Sequence, residues 1–184
     1  MNQELPLIAP EPATTRLDST ETEIGSVFVS NYPPYSVWTE DAVGAAREAL
    51  DTPYDPAEDV DLGLYLHIPF CRKRCKFCYF RVYTDKNADD VSTYIDGIGR
   101  EVEMYAELPR TAGRPLDFVY FGGGTPSYIS TRHLRALVER VKAVMPWDSA
   151  REVAFEAEPG TLTEAKVHTI RDIGVTRLSL GVEN

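Results

Sequence analysis

The sequence has little of what stabilises secreted proteins or binds nucleic acids. Of its 184 residues only three are cysteines, all between Cys71 and Cys78, and so small and odd a number is poor material for a disulfide framework. Basic side chains are also scarce, with 19 Lys and Arg against 29 Asp and Glu and a formal net charge of −10. Because a nucleic-acid-binding surface needs a basic face, this composition disfavours that class of function.

Long hydrophobic runs are absent as well. No stretch approaches the roughly 20 apolar residues of a membrane span, and Met1–Pro10 lacks the charged and apolar regions of a signal peptide. Hydrophobic residues make up 43% and charged residues 26% of the chain, as in soluble globular domains. We therefore expect a cytoplasmic protein whose clustered cysteines bind metal in a reducing compartment.

Residues 1–61 are predicted to form an N-terminal extension. Residues 1–24 are rich in Glu, Thr and Pro and are expected to be disordered. Thr39 can cap a short helix that runs to about Leu50, and Thr52–Asp61 is a connector rich in Pro and Asp. The remaining residues, 62–184, are expected to form the core domain.

Strand and helix patterns alternate through that domain. Apolar runs predict strands at Leu62–Phe70, Asp117–Phe121, Glu152–Glu156 and Val175–Val182. The intervening helices are predicted over Val91–Tyr105, from a cap at Thr131, and from a cap at Thr163 to Gly174, the last carrying Val167 and Ile170. This alternation predicts an α/β fold of parallel βα units. Because the chain stops directly after a strand, we expect a partial TIM-type (β/α) barrel, truncated after about the fourth strand and incomplete at its C-terminus.

The three cysteines follow the first predicted strand in the segment Cys71-Arg72-Lys73-Arg74-Cys75-Lys76-Phe77-Cys78. This spacing lets one loop place three thiolates at three corners of an iron–sulfur cubane and leaves the fourth iron open. Zinc is the alternative, since His67 could complete a Cys₃His site. His67 lies within a predicted strand, however, and zinc motifs usually come as two separated pairs, so the spacing favours the cluster.

The motif Cys-x₃-Cys-x-aromatic-Cys after an apolar strand resembles the radical S-adenosylmethionine (radical SAM) signature, with Phe77 as the aromatic residue. Within that superfamily, Tyr65-Leu66-His67-Ile68-Pro69-Phe70-Cys71 is similar to the oxygen-independent coproporphyrinogen III oxidases and their heme-chaperone relatives, the HemN/HemW-like proteins. Three further blocks match in the correct order: Phe121-Gly122-Gly123-Gly124-Thr125-Pro126, Phe155-Glu156-Ala157-Glu158-Pro159-Gly160-Thr161 and Arg177-Leu178-Ser179-Leu180-Gly181-Val182-Glu183. The resemblance covers only the N-terminal half of such a protein.

The resemblance implies a radical SAM core with a [4Fe–4S] cluster and S-adenosylmethionine (SAM) as cofactors. SAM would bind the open iron, and its reductive cleavage would give a 5′-deoxyadenosyl radical that removes a hydrogen atom from the substrate. The metal ligands implied are Cys71, Cys75 and Cys78. The cofactor-binding residues implied are Tyr65, Phe77, Gly122, Gly123, Gly124, Thr125, Glu156 and Glu183. No catalytic residue is assigned.

Three of these assignments need comment. The glycines let the backbone approach a ligand closely at the end of a strand, although a tight turn would also explain them. Glu156, at the end of the third strand, is preferred to Glu158 as the ligand of the SAM ribose, because the family has a glutamate at the matching position. Glu183 stands where close relatives commonly have glutamine, and its carboxylate only accepts hydrogen bonds where the amide also donates them.

A basic patch lies within the cysteine loop of this acidic chain. Arg72, Lys73, Arg74 and Lys76 could attract an acidic electron donor such as flavodoxin or ferredoxin, or the carboxylates of a small-molecule substrate such as a porphyrin or heme. A solvated loop explains the same charges. The acidic composition predicts no nucleic-acid partner, and the lack of a long apolar run predicts no membrane span.

The family member is not fixed by these motifs. The true oxidases carry a further cysteine two residues after the last cluster cysteine, where this chain has Phe80. Chaperone-type relatives and some methyltransferases and cyclopropanating enzymes lack that cysteine. Three hypotheses remain: a radical enzyme of porphyrin or heme metabolism that resembles coproporphyrinogen dehydrogenases, a heme-binding or heme-delivery protein, and a zinc protein without radical chemistry.

Overall fold

The computed structural model describes residues 39–78 and 80–182. Its strands are β1 (Gly63–Ile68), β2 (Phe118–Gly123), β3 (Glu152–Ala157) and β4 (Arg177–Leu180). Its helices are α1 (Glu40–Asp51), α2 (Ala88–Ala106), α3 (Thr131–Val144) and α4 (Glu164–Asp172). The four strands form one parallel sheet in the order β1-β2-β3-β4. One helix separates each pair of neighbouring strands, so the predicted parallel βα units are confirmed.

One face of this sheet forms the hydrophobic core. Leu66 pairs with Phe121, which pairs with Phe155 in the next strand, and all three side chains are buried. The Phe121 and Phe155 rings lie 5.2 Å apart. Because successive side chains of a strand alternate between the two faces of a sheet, the residues that precede and follow Leu66, Phe121 and Phe155 lie on the opposite face. The helices complete the core with Val91, Ile95, Ile98, Val102, Leu134, Leu137, Val138, Val141 and Ile170.

The helix caps agree with the sequence predictions in part. The Lys166 N–H donates to Thr163 Oγ1 at 3.2 Å at the start of α4, as predicted. The prediction for α3 is wrong by one residue, because Ser130 is its N-cap and accepts from the His133 N–H at 3.1 Å. Thr39 stands at the N-cap of α1 without a side-chain capping bond.

Helix α4 buries a lysine beside its expected apolar residues. Ile170 lies in the core, whereas Val167 is 47% exposed. Lys166 is buried, and its Nζ donates to Ser127 O at 2.9 Å and to Ile129 O. Burial lowers the pKa of Lys166, and the nearby charge of Arg72 adds to this effect. The lysine thus fastens α4 to the segment that follows the glycines of β2.

The described part of the N-terminal segment contacts the loop between α2 and β2. The Arg114 guanidinium lies 3.6 Å from the centre of the Tyr54 ring, and the Arg110 N–H donates to Leu50 O at 3.1 Å. A domain boundary near residue 61 stays a prediction, and residues 1–24 lie outside the described residues. Within the described ranges, no helix is both long and apolar enough to cross a bilayer.

Candidate functional site

The cysteine loop begins where β1 ends, and backbone hydrogen bonds close it. The Cys71 N–H donates to Tyr83 O at 3.0 Å, and the Tyr83 N–H donates to Pro69 O at 2.8 Å. Phe70 and Tyr83 therefore pair as an isolated parallel bridge. This closure holds both ends of the loop at the carboxyl edge of the sheet, where ligand sites of parallel α/β folds are found.

Within the loop, a turn brings the second and third cysteines together. The Cys78 N–H donates to Cys75 O at 3.2 Å, and Arg74 Nη2 donates to Cys78 O at 2.8 Å. Cys71 is buried, Cys75 is exposed and Cys78 is intermediate, and none of the three forms a disulfide. All three thiols are therefore free to bind metal.

The electrostatics of Cys71 suit a cationic metal group. Burial raises the pKa of the Cys71 thiol, a hydrogen bond from Thr125 opposes this, and charge on Cys78 and Cys75 raises it further. Charge on one thiolate thus disfavours charge on the others. Since a thiolate rather than a thiol is the metal ligand, iron would relieve this repulsion, and the donor set fits an iron–sulfur cluster.

The zinc alternative would need His67 as a fourth ligand beside the three cysteines. Among residues 39–78 and 80–182, no group of three His, Cys, Asp or Glu side chains stands in position around a metal ion, and this holds for zinc and for a cluster alike. Structural zinc requires four ligands around one centre, whereas a cubane distributes its thiolates over separate irons. His67, the predicted fourth zinc ligand, hydrogen-bonds through Nδ1 to Tyr65 Oη at 3.0 Å.

The glycine turn after β2 lies directly against the cysteine loop. The Gly124 N–H donates to Ile68 O at 2.8 Å, and the Thr125 N–H donates to Phe70 O at 2.9 Å. A Cβ atom on Gly124 would lie 2.9 Å from Cys71 Sγ, so only glycine fits there without movement. Thr125 Oγ1 donates to Cys71 Sγ at 3.3 Å. The structure thus brings together two of the motifs that the sequence separates by about 50 residues.

The polar face of the sheet carries a network of side chains. Tyr120 Oη donates to Glu156 Oε1, and the Tyr120 ring stacks on Tyr65 with 5.8 Å between ring centres. Burial, and then the nearby Glu156 charge, raise the pKa of Tyr65, whereas the hydrogen bond to Glu156 is the main cause that raises the pKa of Tyr120. Burial lowers the pKa of His67, and the Glu156 charge opposes this. At the carboxyl end of the strands, this face therefore presents the Glu156 carboxylate among aromatic rings.

The other predicted site residues lie around this centre. Glu158 begins a 3₁₀ turn and accepts from the Gly160 N–H at 2.9 Å, whereas Glu156 lies within β3, near its carboxyl end. Phe77 is 61% exposed at the outer side of the cysteine loop. Glu183 lies outside the described residues. The ligand roles of all these residues stay predictions.

Sequence reasoning missed two residues of this region. The sequence pattern places Tyr120 only within a strand, although it lies two residues before Gly122 and so shares a face with it. The pattern places Arg72 in a charged patch, but its Nη1 donates to Gly160 O at 3.0 Å. It thereby joins the cysteine loop to the turn after β3, a contact that no local pattern signals.

Comparison with known proteins agrees with this geometry. Residues 65–184 match the family model of the radical SAM superfamily. The chain is 32% identical over 161 residues to "Coproporphyrinogen III oxidase, anaerobic 1" of Cereibacter sphaeroides, covering 84% of this chain and 34% of that protein. It is 34% identical over 120 residues to "Heme chaperone HemW" of Bacillus subtilis, covering 65% of this chain and 31% of that protein. It also matches "Anaerobilin synthase" of Escherichia coli, at 34% identity over 66% of this chain and 27% of that protein.

The fold has a solved counterpart. The coproporphyrinogen III oxidase HemN of Escherichia coli, described as a radical SAM enzyme, superposes with a TM-score of 0.71 at 26% identity, covering 86% of this chain and 35% of that one. The chain spans about a third of the length of the curated relatives above. The family implies a [4Fe–4S] cluster and SAM as cofactors. On these matches and on the site that agrees with them, the chain belongs to the radical SAM superfamily.

Proposed function

We propose that this chain forms the cluster-binding and SAM-binding part of a radical SAM enzyme of the coproporphyrinogen III oxidase-like family, acting on a porphyrin or a related substrate of heme metabolism. The observation that carries the proposal is the Thr125–Cys71 hydrogen bond at 3.3 Å. It joins the predicted SAM-contacting turn to a predicted cluster ligand. The relatives named as oxidases and as anaerobilin synthase support the assignment to an enzyme.

Cys71, Cys75 and Cys78 would hold the cluster through three thiolates. The chemistry that the bound cofactors supply is one-electron cleavage of the SAM sulfonium to methionine and a 5′-deoxyadenosyl radical. The chain must orient SAM and exclude water from the site. The burial of Cys71 and the close packing of the glycine turn would help to exclude water from this side of the site.

The remaining contacts to SAM would come from the strand ends. The backbone of Gly122, Gly123 and Gly124, with Thr125, would approach the methionyl part, because the turn lies against the cysteine loop. Glu156 would accept hydrogen bonds from the ribose hydroxyls, since it lies near the carboxyl end of β3, whereas Glu152 begins the strand and is paired with Arg177. Tyr65, 56% exposed on the same face, would border the adenosyl part.

The electron donor would dock on the outer side of the cysteine loop. Lys73 and Lys76 are exposed beside exposed Cys75, whereas Arg72 and Arg74 are engaged with backbone carbonyls. Neither lysine has an ion-pair partner among residues 39–78 and 80–182, and two ammonium groups near the cluster would attract an acidic protein such as flavodoxin or ferredoxin. The thiolate ligands also favour a reducing compartment, the cytoplasm.

A heme chaperone is the second candidate. Phe80 occupies the position where the true oxidases carry a further cysteine, and four relatives with 30–34% identity are named heme chaperones. Such a protein would keep the cluster and bind heme without converting a substrate. A methyltransferase or cyclopropanase on the same scaffold would share the missing cysteine.

The test is a paired assay on the anaerobically reconstituted protein, reduced with dithionite. We expect 5′-deoxyadenosine to form from SAM and to increase when coproporphyrinogen III is added, as measured by liquid chromatography and mass spectrometry. Stable heme binding without SAM cleavage would favour the chaperone instead. Transfer of a methyl group or methylene from SAM to the product would favour the third activity.

The Thr125 hydroxyl gives a prediction about the cluster itself. Hydrogen bonds to cluster sulfurs raise the reduction potential, so Thr125→Val, which keeps the shape and removes the donor, is expected to lower the midpoint potential by on the order of tens of millivolts. Thr125→Ser retains the donor and serves as the control. The measurement is a potentiometric titration followed by EPR. Equal potentials in wild type and Thr125→Val would contradict the prediction.

A further inference from the structure

The hydroxyl of Tyr120 occupies one oxygen of Glu156. Tyr120 lies on β2 opposite Ala154 of β3, and Glu156 follows two residues later on the same face. Tyr120 Oη donates to Glu156 Oε1. This hydrogen bond is the main reason why the pKa of Tyr120 rises to about 12. The phenol therefore stays protonated near neutral pH and remains a donor.

The Tyr120 ring is held by its neighbours. It lies 5.8 Å from the Tyr65 ring at an interplanar angle of 30°, and 6.0 Å from the Phe118 ring at 37°. A Cβ atom on Gly122 would lie 2.6 Å from Tyr120 Cε1 and 3.0 Å from Tyr65 Cε2. Glycine at this position thus makes room for both rings. Since stacking fixes the ring, the hydroxyl is directed at the carboxylate before any ligand arrives.

The second oxygen of Glu156 remains available. No side chain or backbone group in residues 39–78 and 80–182 donates a hydrogen bond to Glu156 Oε2. The neighbouring acid Glu152 is instead paired with Arg177 at 3.2 Å. A carboxylate has about four acceptor sites. The hydrogen bond from Tyr120 to Oε1 therefore orients the carboxylate group. This orientation determines the direction from which Oε2 can accept a hydrogen bond from a ligand.

We propose that Tyr120 is a positioning residue for Glu156, holding Oε1 so that Oε2 accepts a hydroxyl of the SAM ribose. This inference rests on the ribose-binding role of Glu156 proposed above. Without the Tyr120 hydroxyl, the carboxylate must lose rotational freedom when the ligand binds, which weakens binding. Because ordering one free side chain on binding weakens affinity by up to about tenfold, the dissociation constant for SAM should rise by up to about tenfold.

The experiment measures ligand binding to the reconstituted protein by equilibrium dialysis under anaerobic conditions. The ligands are SAM and S-adenosylhomocysteine, which contain ribose, and methionine, which does not. Tyr120→Phe keeps the ring and its stacking, Glu156→Gln removes the charge, and the double variant tests their coupling. Tyr94→Phe is the matched control, since its hydroxyl donates to His67 O at 3.0 Å and does not contact Glu156.

We expect Tyr120→Phe to weaken both ribose-containing ligands by up to about tenfold, with no change for methionine and no additional loss when Glu156 is already Gln. Tyr94→Phe should bind all three ligands like the wild type. If Glu156→Gln weakens SAM but Tyr120→Phe does not, the positioning role is wrong and the role of Glu156 stands. If Glu156→Gln leaves SAM binding unchanged, both roles are wrong. Equal weakening of methionine and SAM by Tyr120→Phe would indicate a general structural defect and would also overturn the inference.

Discussion

Replacement of Cys75 by alanine is expected to abolish the [4Fe–4S] cluster and, with it, all SAM cleavage. Cys75 is exposed, so its side chain contributes little to the hydrophobic core and its loss should act on the metal site alone. Two remaining thiolates would leave a second iron without a protein ligand. The measurements are iron and sulfide content, the EPR signal of the reduced protein with and without SAM, and 5′-deoxyadenosine formation.

The control for this variant must separate cluster loss from unfolding. Far-UV circular dichroism of Cys75→Ala should match that of the wild-type protein stripped of metal, because both contain the same fold without a cluster. The wild-type EPR signal should change when SAM is added, since SAM would bind the open iron. A Cys75→Ala protein with full iron and sulfide content and an unchanged response to SAM would show that Cys75 is not a ligand. Zinc in place of iron in the wild type would remove the radical mechanism altogether.

Most of the fold could be predicted from the sequence because its signals are local. Buried strands appear as apolar runs, and α2 shows its inward stripe through Val91, Ile95, Ile98 and Val102. The errors lie where burial depends on tertiary contacts. Val167 looked like a core residue and is exposed, whereas Lys166 is buried, because two backbone carbonyls from the segment after β2 satisfy its ammonium group. The sequence of α4 does not predict these two acceptors, because they lie outside the helix.

For the candidate site too, local sequence motifs could be predicted, whereas tertiary contacts could not. The cysteines and glycines were recognisable because their spacing carries the chemistry. The contacts between blocks were not, because they depend on strand register. Tyr120 reaches Glu156 only because β2 and β3 pair in the observed register, and Thr125 reaches Cys71 only because the turns after β1 and β2 lie side by side. Sequence motifs thus identified the candidate ligands, and the structure supplied the side chains that orient them.

Gly123→Ala is expected to destabilise the protein by about 2–5 kcal/mol, the combined scale of backbone strain and overpacking. Gly123 has φ of +114°, a conformation that residues with a Cβ atom rarely adopt. The new Cβ would also lie 2.7 Å from His67 Cε1 and 3.0 Å from Ile68 O. The ring could rotate away, but the backbone carbonyl belongs to β1 and is fixed by the sheet. Urea unfolding of the metal-free protein measures the change in free energy.

Gly97→Ala is the matched control, because it adds the same methyl group where nothing lies within 4 Å. Gly97 is exposed on α2, where alanine is favoured over glycine by about 0.5–1 kcal/mol, so this variant should be slightly more stable than the wild type. The two substitutions should change the free energy of unfolding in opposite directions. This difference separates the effect of the turn conformation at Gly123 from any general effect of replacing a glycine. If Gly123→Ala unfolds at the wild-type urea concentration, the turn tolerates a side chain. In that case neither the positive φ of Gly123 nor its close approach to His67 and Ile68 of β1 can be the reason why glycine stands there.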